Sequence, residues 1–314
     1  MQIAIDHGNH SVKTINHAFV SNFIERKKTL RLQEGQEDIL EHCGTEFVIS
    51  ENSTLTRHNK TLDEHYYVLT LFAIGKEFPQ GGNLEIDLII GLPLSDFADG
   101  NKEALIDYFK QKALIKFRYS GVDYSVKFKS ISVYPQTVAA VFYVFHSEGE
   151  TKSQISKIRQ INFIDIGGGT VNFVLTNNQV IDRDASGTLG RGVNTMFVEV
   201  NKAVSASRIG RQKLRPNDIQ DILKRNTDEG IPTDIAAIIK DAARDFADKL
   251  LLEVASFGIN LHDSLTIFLG GGSLLLEDFI RKSNYVSNPQ FLYDVNINAK
   301  GFEVMRQLAQ GMDR

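Results

Sequence analysis

Two short stretches of the chain join an aspartate to a glycine-rich turn: Ile5-Asp6-His7-Gly8-Asn9-His10-Ser11-Val12-Lys13 and Ile164-Asp165-Ile166-Gly167-Gly168-Gly169-Thr170-Val171. Aligned, they share the pattern I-D-x-G-x-x-[S/T]-V. Each reads as a β-hairpin with backbone N–H groups at its tip, where small residues let the backbone approach an anion closely. The hydroxyls of Ser11 and Thr170 add donors, and Lys13 adds a point charge suited to phosphate. Asp6 and Asp165 would repel a phosphate directly, so their presence calls for a cation. Mg2+ keeps several waters and touches few carboxylates, so two aspartates holding those waters suit it. Two such hairpins facing each other would clamp a polyphosphate and its metal between two domains of common plan. One hairpin alone reads equally well as a tight turn with an exposed aspartate; the repetition, at the start and just past the midpoint, favours the paired reading.

A third glycine cluster, Leu269-Gly270-Gly271-Gly272-Ser273, lies between an apolar strand and a helix, a junction that brings helix N-terminal amides near a ligand. It fits neither G-x-G-x-x-G nor G-x-x-x-x-G-K-[S/T], so dinucleotide-fold and P-loop signatures do not explain it.

The elements that must position these loops follow from periodicity. Residues 2–6 and 12–20 read as strands around the first tip, and polar, ambiguous sequence runs to residue 60. Thr61-Leu62-Asp63-Glu64 has the capping-box pattern and opens a helix through about residue 78. Residues 84–95 form a buried strand, 101–114 a helix, 115–134 short strands, and 135–148 a helix starting at Pro135. The charged stretch 147–157 is the best domain boundary. Beyond the second hairpin come helices near 191–206, 217–226 and 233–257. In the last, Ile235, Ile238, Ile239, Ala242, Phe246, Leu250, Val254 and Phe257 share one face and Gly258 stops it. A strand, the glycine loop and a helix follow, and a short helix from Gly301 closes the chain.

The 314 residues suffice for two domains, and 42% hydrophobic with 24% charged residues is the balance of an ordinary globular protein. No apolar run approaches the ~18 residues of a membrane span, and Met1 leads straight into strand sequence without a signal peptide. Cys43 is the only cysteine, so no intrachain disulfide forms. The net charge of −4 gives no global attraction to nucleic acid or anionic lipid. Basic patches at Arg26-Lys27-Lys28 and Arg208 to Arg215 read as solvated faces. A cytoplasmic protein is expected, with no direct nucleic-acid contact and no membrane contact.

These motifs, in this order, resemble those of the ATPase superfamily that contains actin, heat-shock chaperones and sugar kinases. Asp6 to Lys13 is similar to its first phosphate motif, Asp165 to Thr170 to the second, and Leu269 to Ser273 to the adenosine motif. Tyr134-Pro135-Gln136-Thr137-Val138-Ala139-Ala140 resembles the first connecting helix, and Asn298-Ala299-Lys300-Gly301-Phe302 the second. Within the superfamily the chain looks most like the bacterial plasmid-segregating actins of the ParM/StbA type. Pointers are the asparagine of D-x-G-N, the LTLFAIGKEF helix ahead of a Gly-Leu-Pro strand, and the total length.

The resemblance implies an α/β, actin-like ATPase fold: two related ribonuclease H-like domains around a nucleotide cleft. Domain I would span 1–155 with a small insertion about 20–85; domain II would span 156–297 with a helical insertion about 190–258; and 298–314 would return to domain I. It implies ATP and ADP as ligands, with Mg2+ held by Asp6 and Asp165 through water. Gly8, Asn9, His10, Ser11, Lys13, Gly167, Gly168, Gly169, Thr170, Gly270, Gly271, Gly272 and Ser273 would bind ATP. Gln136, with Asp6 and Asp165, would be catalytic, its amide orienting the attacking water. Many relatives carry glutamate there, so glutamine bears on the hydrolysis rate. His7 and His10 read otherwise as turn residues, and Lys202, Arg208 and Arg211 are candidates only for adenine and ribose contacts. The resemblance further implies self-association into filaments and a DNA-binding adaptor at a plasmid centromere-like site. The alternatives on the same fold are a small-molecule kinase, which needs a carboxylate base that the Gln136 position lacks, and a chromosomal cell-shape or division actin, which usually carries a terminal amphipathic helix. A chaperone would need a long C-terminal domain, and a nucleotide-binding switch would not polymerise.

Overall fold

The computed structural model of the chain describes residues 1–26, 38–50, 64–112, 114–146, 155, 157–207, 213–225 and 232–312. In chain order the elements are β1 (Gln2–His7), β2 (Ser11–Lys13), β3 (Ala18–Val20), β4 (Phe23–Glu25), β5 (Ile39–His42), β6 (Thr45–Ile49), α1 (His65–Glu77), β7 (Gly82–Leu92), α2 (Leu94–Ala98), α3 (Asn101–Lys110), β8 (Ile115–Tyr119), β9 (Val122–Pro135) and α4 (Val138–His146). They continue with β10 (Gln160–Ile166), β11 (Val171–Asn177), β12 (Val180–Leu189), α5 (Val193–Ala206), α6 (Pro216–Arg225), α7 (Thr233–Ala255), β13 (Leu265–Leu269), α8 (Gly271–Lys282), β14 (Pro289–Phe291) and α9 (Ile297–Met312). The chain forms two compact units, Met1–Ser147 with Asn296–Arg314, and Glu148–Val295.

Each unit is built on the same five-strand plan. In the first, the order β3-β2-β1-β7-β9 begins one sheet, antiparallel up to β1 and parallel from β1 through β7 to β9. In the second, β12-β11-β10-β13-β14 repeats that order and those directions. Parallel neighbours need crossovers: α1 supplies one between β1 and β7, the helices from α5 to α7 bridge β10 to β13, and α8 bridges β13 to β14. The first sheet is extended at its far edge by β8, β5, β6 and β4, all antiparallel.

Alternation along β1 decides what faces what. Ile3 and Ile5 enter the core that α1 covers with Tyr66, Leu69 and Phe72, while Ala4 joins Ile89, Ala139, Ala299 and Phe302 beneath α4 and α9. His7 therefore points to the α1 side and Asp6 to the α4 and α9 side. In the second unit Ile164, Ile166 and Phe268 meet Val193, Met196, Phe246 and Leu250 from the helices. Central strands covered on both faces read as unbroken apolar runs rather than as alternation; β10 is buried from Ile161 to Ile166.

Several sequence expectations shift. Residues 12–20 are two strands, because Thr14 to His17 form a turn closed by Thr14 N–H donating to His17 O at 2.8 Å. Pro135 ends β9 rather than opening a helix, since its partner in β7 is Leu92, and α4 starts at Val138. The C-terminal helix begins at Ile297, before Gly301. The strand β12 stood unexpected between the second hairpin and the helices: its Asp182 to Gly187 stretch is polar and half-exposed, the composition of a sheet edge. Thr61 to Asp63, Lys27, Lys28, Arg208, Arg211 and most of 147–157 lie outside the described residues; α1 itself runs from His65. The face expected on 233–257 forms as α7, and Gly258 with φ +85° ends it, while Phe257 stays half-exposed against Phe173. Arg215 is an exposed surface cation paired with Asp218 at 3.0 Å. Among the described residues no helix is long and apolar enough to cross a membrane.

Candidate functional site

The first hairpin pairs Asp6 with Lys13 and His7 with Val12, leaving Gly8, Asn9, His10 and Ser11 near the tip. Gly8 closes it: its N–H donates to Asp6 O at 3.1 Å, and a Cβ there would lie 2.7 Å from Ser11 O and 3.3 Å from Lys13 Nζ. The tip is braced from outside by Tyr66 of α1, whose hydroxyl donates to Asn9 Oδ1 at 3.2 Å, and by Ser21 N–H donating to His10 O at 2.9 Å. His7 turns away from the tip and meets Thr70 Oγ1 through Nε2 at 2.9 Å, buried on the α1 side. Since the Thr70 hydroxyl donates to Tyr66 O, that imidazole nitrogen is the donor.

Asp6 is 2% exposed and sits in a polar cluster rather than alone. Gln136 Nε2 donates to its Oδ1 at 2.5 Å, Asn298 Nδ2 to its Oδ2 at 3.5 Å, and Lys13 Nζ stands 3.7 Å from Oδ2. Burying a carboxylate demands such partners. Gln136 lies in the link between β9 and α4, itself buried, with its N–H donating to Leu92 O at 2.7 Å. It is thus not a solvent-facing helix residue. Next to it Thr137 is wholly buried at φ +63°, and Val138 N–H donates to Gln136 O at 2.7 Å. That is the rarer, strained γ-turn, with a β-branched residue at a positive φ; such residues cost about 1–3 kcal/mol and persist only where their surroundings over-determine them. The Thr137 N–H donates to Asn298 Oδ1 at 2.9 Å, so α9 holds the turn.

The second hairpin repeats the register: Asp165 pairs with Asn172 and Ile166 with Val171, leaving Gly167 to Thr170 at the tip. Lys13 of the first hairpin therefore has Asn172 as its counterpart. Gly167 N–H donates to Thr170 O at 2.9 Å. The start of α5 backs this tip, with Val193 N–H donating to Gly167 O at 3.1 Å and Asn194 N–H to Gly168 O at 2.9 Å. Gly192 makes that approach possible, since a Cβ on it would stand 2.4 Å from Gly167 O.

The third glycine cluster meets the second aspartate. Gly270, at φ +85°, turns from β13 into α8, and a Cβ there would lie 2.3 Å from Asp165 Oδ1 and 2.7 Å from Ile166 O. A Cβ on Gly272 would fall 2.6 Å from Ile166 O, whereas Gly271 has open space around it. Ser273 is wholly buried, and its hydroxyl donates to Leu269 O at 2.5 Å within the strand-to-helix turn.

Within the first unit the structure thus gathers Asp6, Lys13, Gln136 and the Gly8 tip; within the second, Asp165, Gly167 to Thr170 and Gly270. Lys202 is exposed on α5, and Arg208 and Arg211 lie outside the described residues. Sequence reasoning missed Tyr66 and the Gly192 to Asn194 junction as supports. The signal for the second was the Gly190-Arg191-Gly192 run just ahead of a helix. Among the described residues no group of three or more His, Cys, Asp or Glu side chains gathers.

Residues 4–138 match the family of actin-like proteins through the model of its N-terminal domain. No curated protein sequence matches the chain significantly. Among solved structures it is similar to a 15-stranded ParM filament from Clostridium botulinum, with a TM-score of 0.77 and 22% identity over 98% of this chain and 99% of that one. It is similar to Ta0583, an archaeal actin homolog in complex with ADP, with a TM-score of 0.67 and 18% identity over 99% of each chain. It is similar also to the AlfA filament bound to AMPPNP, with a TM-score of 0.60 and 16% identity over 99% of this chain and 98% of that one. The chain has the actin-like fold over its full length, and its residues 4–138 match the N-terminal domain of actin-like proteins.

Proposed function

We propose that the chain binds Mg-ATP, polymerises with it, hydrolyses it within the filament and drives plasmid copies apart through a DNA-binding adaptor at a centromere-like site. The observation that carries this reading is the repeat: Asp6 and Asp165 hold the same place in two hairpins of the same register, on sheets of the same strand order. Filament and nucleotide-bound neighbours of the same fold support it, and the proposed setting is the bacterial cytoplasm. The adaptor, rather than this acidic chain, would touch DNA.

The residues fit the nucleotide and its metal. At Gly8 and Gly167 a side chain would crowd the loop backbone, at 2.7 Å from Ser11 O and 3.0 Å from Thr170 O, so glycine keeps the tips open to close approach. Asp6 and Asp165 are hard oxygen donors of the kind Mg2+ takes through its waters. The bound ion would neutralise charge on the phosphate oxygens. The tip amides and the Ser11 and Thr170 hydroxyls then hold phosphate oxygens, and Lys13 balances charge beside Asp6. Gln136, with Nε2 committed to Asp6, offers Oε1 to accept a hydrogen bond from water. An amide orients a water without competing for its proton, which is what in-line attack on a γ-phosphate requires.

The test mixes the protein with Mg-ATP, with Mg-ADP and without nucleotide, following light scattering and phosphate release together. The expected result is a scattering rise only with ATP, then phosphate release and decay, with Gln136→Ala showing slower release and persistent scattering. ATP binding with no scattering over a wide concentration range would overturn the filament reading. Turnover that needs an added small-molecule phosphate acceptor would point to a kinase instead.

A further inference from the structure

Three supports converge on Gln136 from the C-terminal helix. Asn298 Oδ1 accepts the Thr137 N–H at 2.9 Å, its Nδ2 reaches Asp6 Oδ2 at 3.5 Å, and the Phe302 ring abuts Gly91 beside the Gln136 stem. A Cβ on Gly91 would stand 2.2 Å from Phe302 Cζ and 3.2 Å from Gln136 Cγ. Asn298 is 6% exposed and Thr137 not at all, so neither bond competes with bulk water.

The geometry points to Asn298 as a positioning residue for hydrolysis: one side chain holds the strained Gln136-Thr137 turn and, with the same amide, the carboxylate to which Gln136 is bound. This inference rests on the ATPase reading above. A β-branched residue at φ +63° relaxes toward negative φ when its surroundings let go, and relaxation at Thr137 swings the adjoining Gln136 peptide. Asn298 accepts a hydrogen bond from the turned Thr137 N–H, and α9 is in turn tied to the first sheet through Gln2 Nε2 donating to Glu303 Oε1 at 3.0 Å and Arg306 Nη1 to Ser132 Oγ at 3.0 Å. The helix therefore reports its own seating to the hydrolytic position through Asn298. A side chain that merely filled space would not join these groups.

The experiment is a double-mutant cycle on the full chain, reading kcat for phosphate release, KM for Mg-ATP and melting temperature. Asn298→Ala should lower kcat by about 10-fold or more with KM within about 3-fold, since a small misplacement of a positioned group costs at least that much. Thr137→Gly removes the strain, because glycine adopts positive φ freely. In that background Asn298→Ala should cost at least about 3-fold less in kcat than in the wild type, read apart from the coupling in melting temperature that two hydrogen-bonded residues show in any case. Equal losses in both backgrounds, or an unchanged kcat in Asn298→Ala beside an active wild type, would overturn the inference alone. A wild type that turns over no ATP removes the function and the inference together. Should Asn298→Ala fail to fold, Asn298→Ser carries the same comparison.

Discussion

Gly301→Ala sets two physical effects against each other on one helix. Intrinsic propensity favours alanine over glycine in a helix interior by about 1 kcal/mol. The packing says the opposite. Gly301 is buried where α9 crosses α4, and an added Cβ would stand 2.1 Å from Ala139 O, 2.3 Å from Ala139 C and 3.0 Å from Ala139 Cβ. The first of these is more than 1 Å short of the 3.4 Å at which ordinary contact begins, and the obstacle is backbone. No rotamer change relieves it; the two helices must part. Overpacking of this kind costs about 1–3 kcal/mol and occasionally more, and the severity places it at the upper end. After the propensity gain, a net loss of about 2 kcal/mol is expected, a fall in melting temperature of about 4–8 °C for a unit of this size. Gly311→Ala in the same helix is the internal control: nothing lies within 4 Å of its Cβ, so it should be neutral or raise stability by up to about 1 kcal/mol. Thermal unfolding followed by circular dichroism compares the two. Because α4 begins directly after Gln136 and Thr137, phosphate release should fall in Gly301→Ala as well. A Gly301→Ala protein as stable as Gly311→Ala would refute the close crossing of α4 and α9 and the reasoning built on it.

Gly270→Ala forces a Cβ to 2.3 Å from Asp165 Oδ1 at a residue with φ +85°, so ATP affinity by calorimetry should drop at least about 10-fold, and normal binding would argue against Asp165 as a site residue. Tyr66→Phe removes the hydroxyl that braces Asn9, a hydrogen bond worth about 0.5–1.5 kcal/mol net, and should raise KM for Mg-ATP several-fold with kcat little changed. Asp38 provides the pH dependence. Burial raises its pKa, but hydrogen bonds from Lys76 and Tyr119 and the Lys76 charge outweigh that, leaving it below its ordinary 3.8. A carboxylate depressed in the folded state contributes stability that is present above its unfolded pKa and lost as pH falls through the folded one. Asp38→Asn should therefore flatten the loss of stability below about pH 4, and an unchanged acid limb would show that the Lys76 pair contributes nothing; the pair is half-exposed, so the effect is small.

The sequence by itself determined the parts that depend on local chemistry. The aspartates, the glycine tips and their common spacing are covalent facts, and the register Asp6 with Lys13 and Asp165 with Asn172 follows from them once a hairpin forms. Apolar runs such as 161–166 and the one-sided face of α7 were legible because burial leaves a period in the chain. Only the tertiary structure decided what those residues meet. Gln136 was legible as a position, but its bond to Asp6 is between residues far apart in sequence, and nothing local foretells it. The bond from the Ser273 hydroxyl to Leu269 O depends on the turn into α8, which the glycine run alone does not specify. Thr137 at positive φ contradicts its own propensity, and it is held there buried, with Asn298 from the other end of the first unit's chain accepting its N–H. Backbone strain of this kind cannot be read from the residue that carries it, because the free energy that sustains it belongs to the packing of α9.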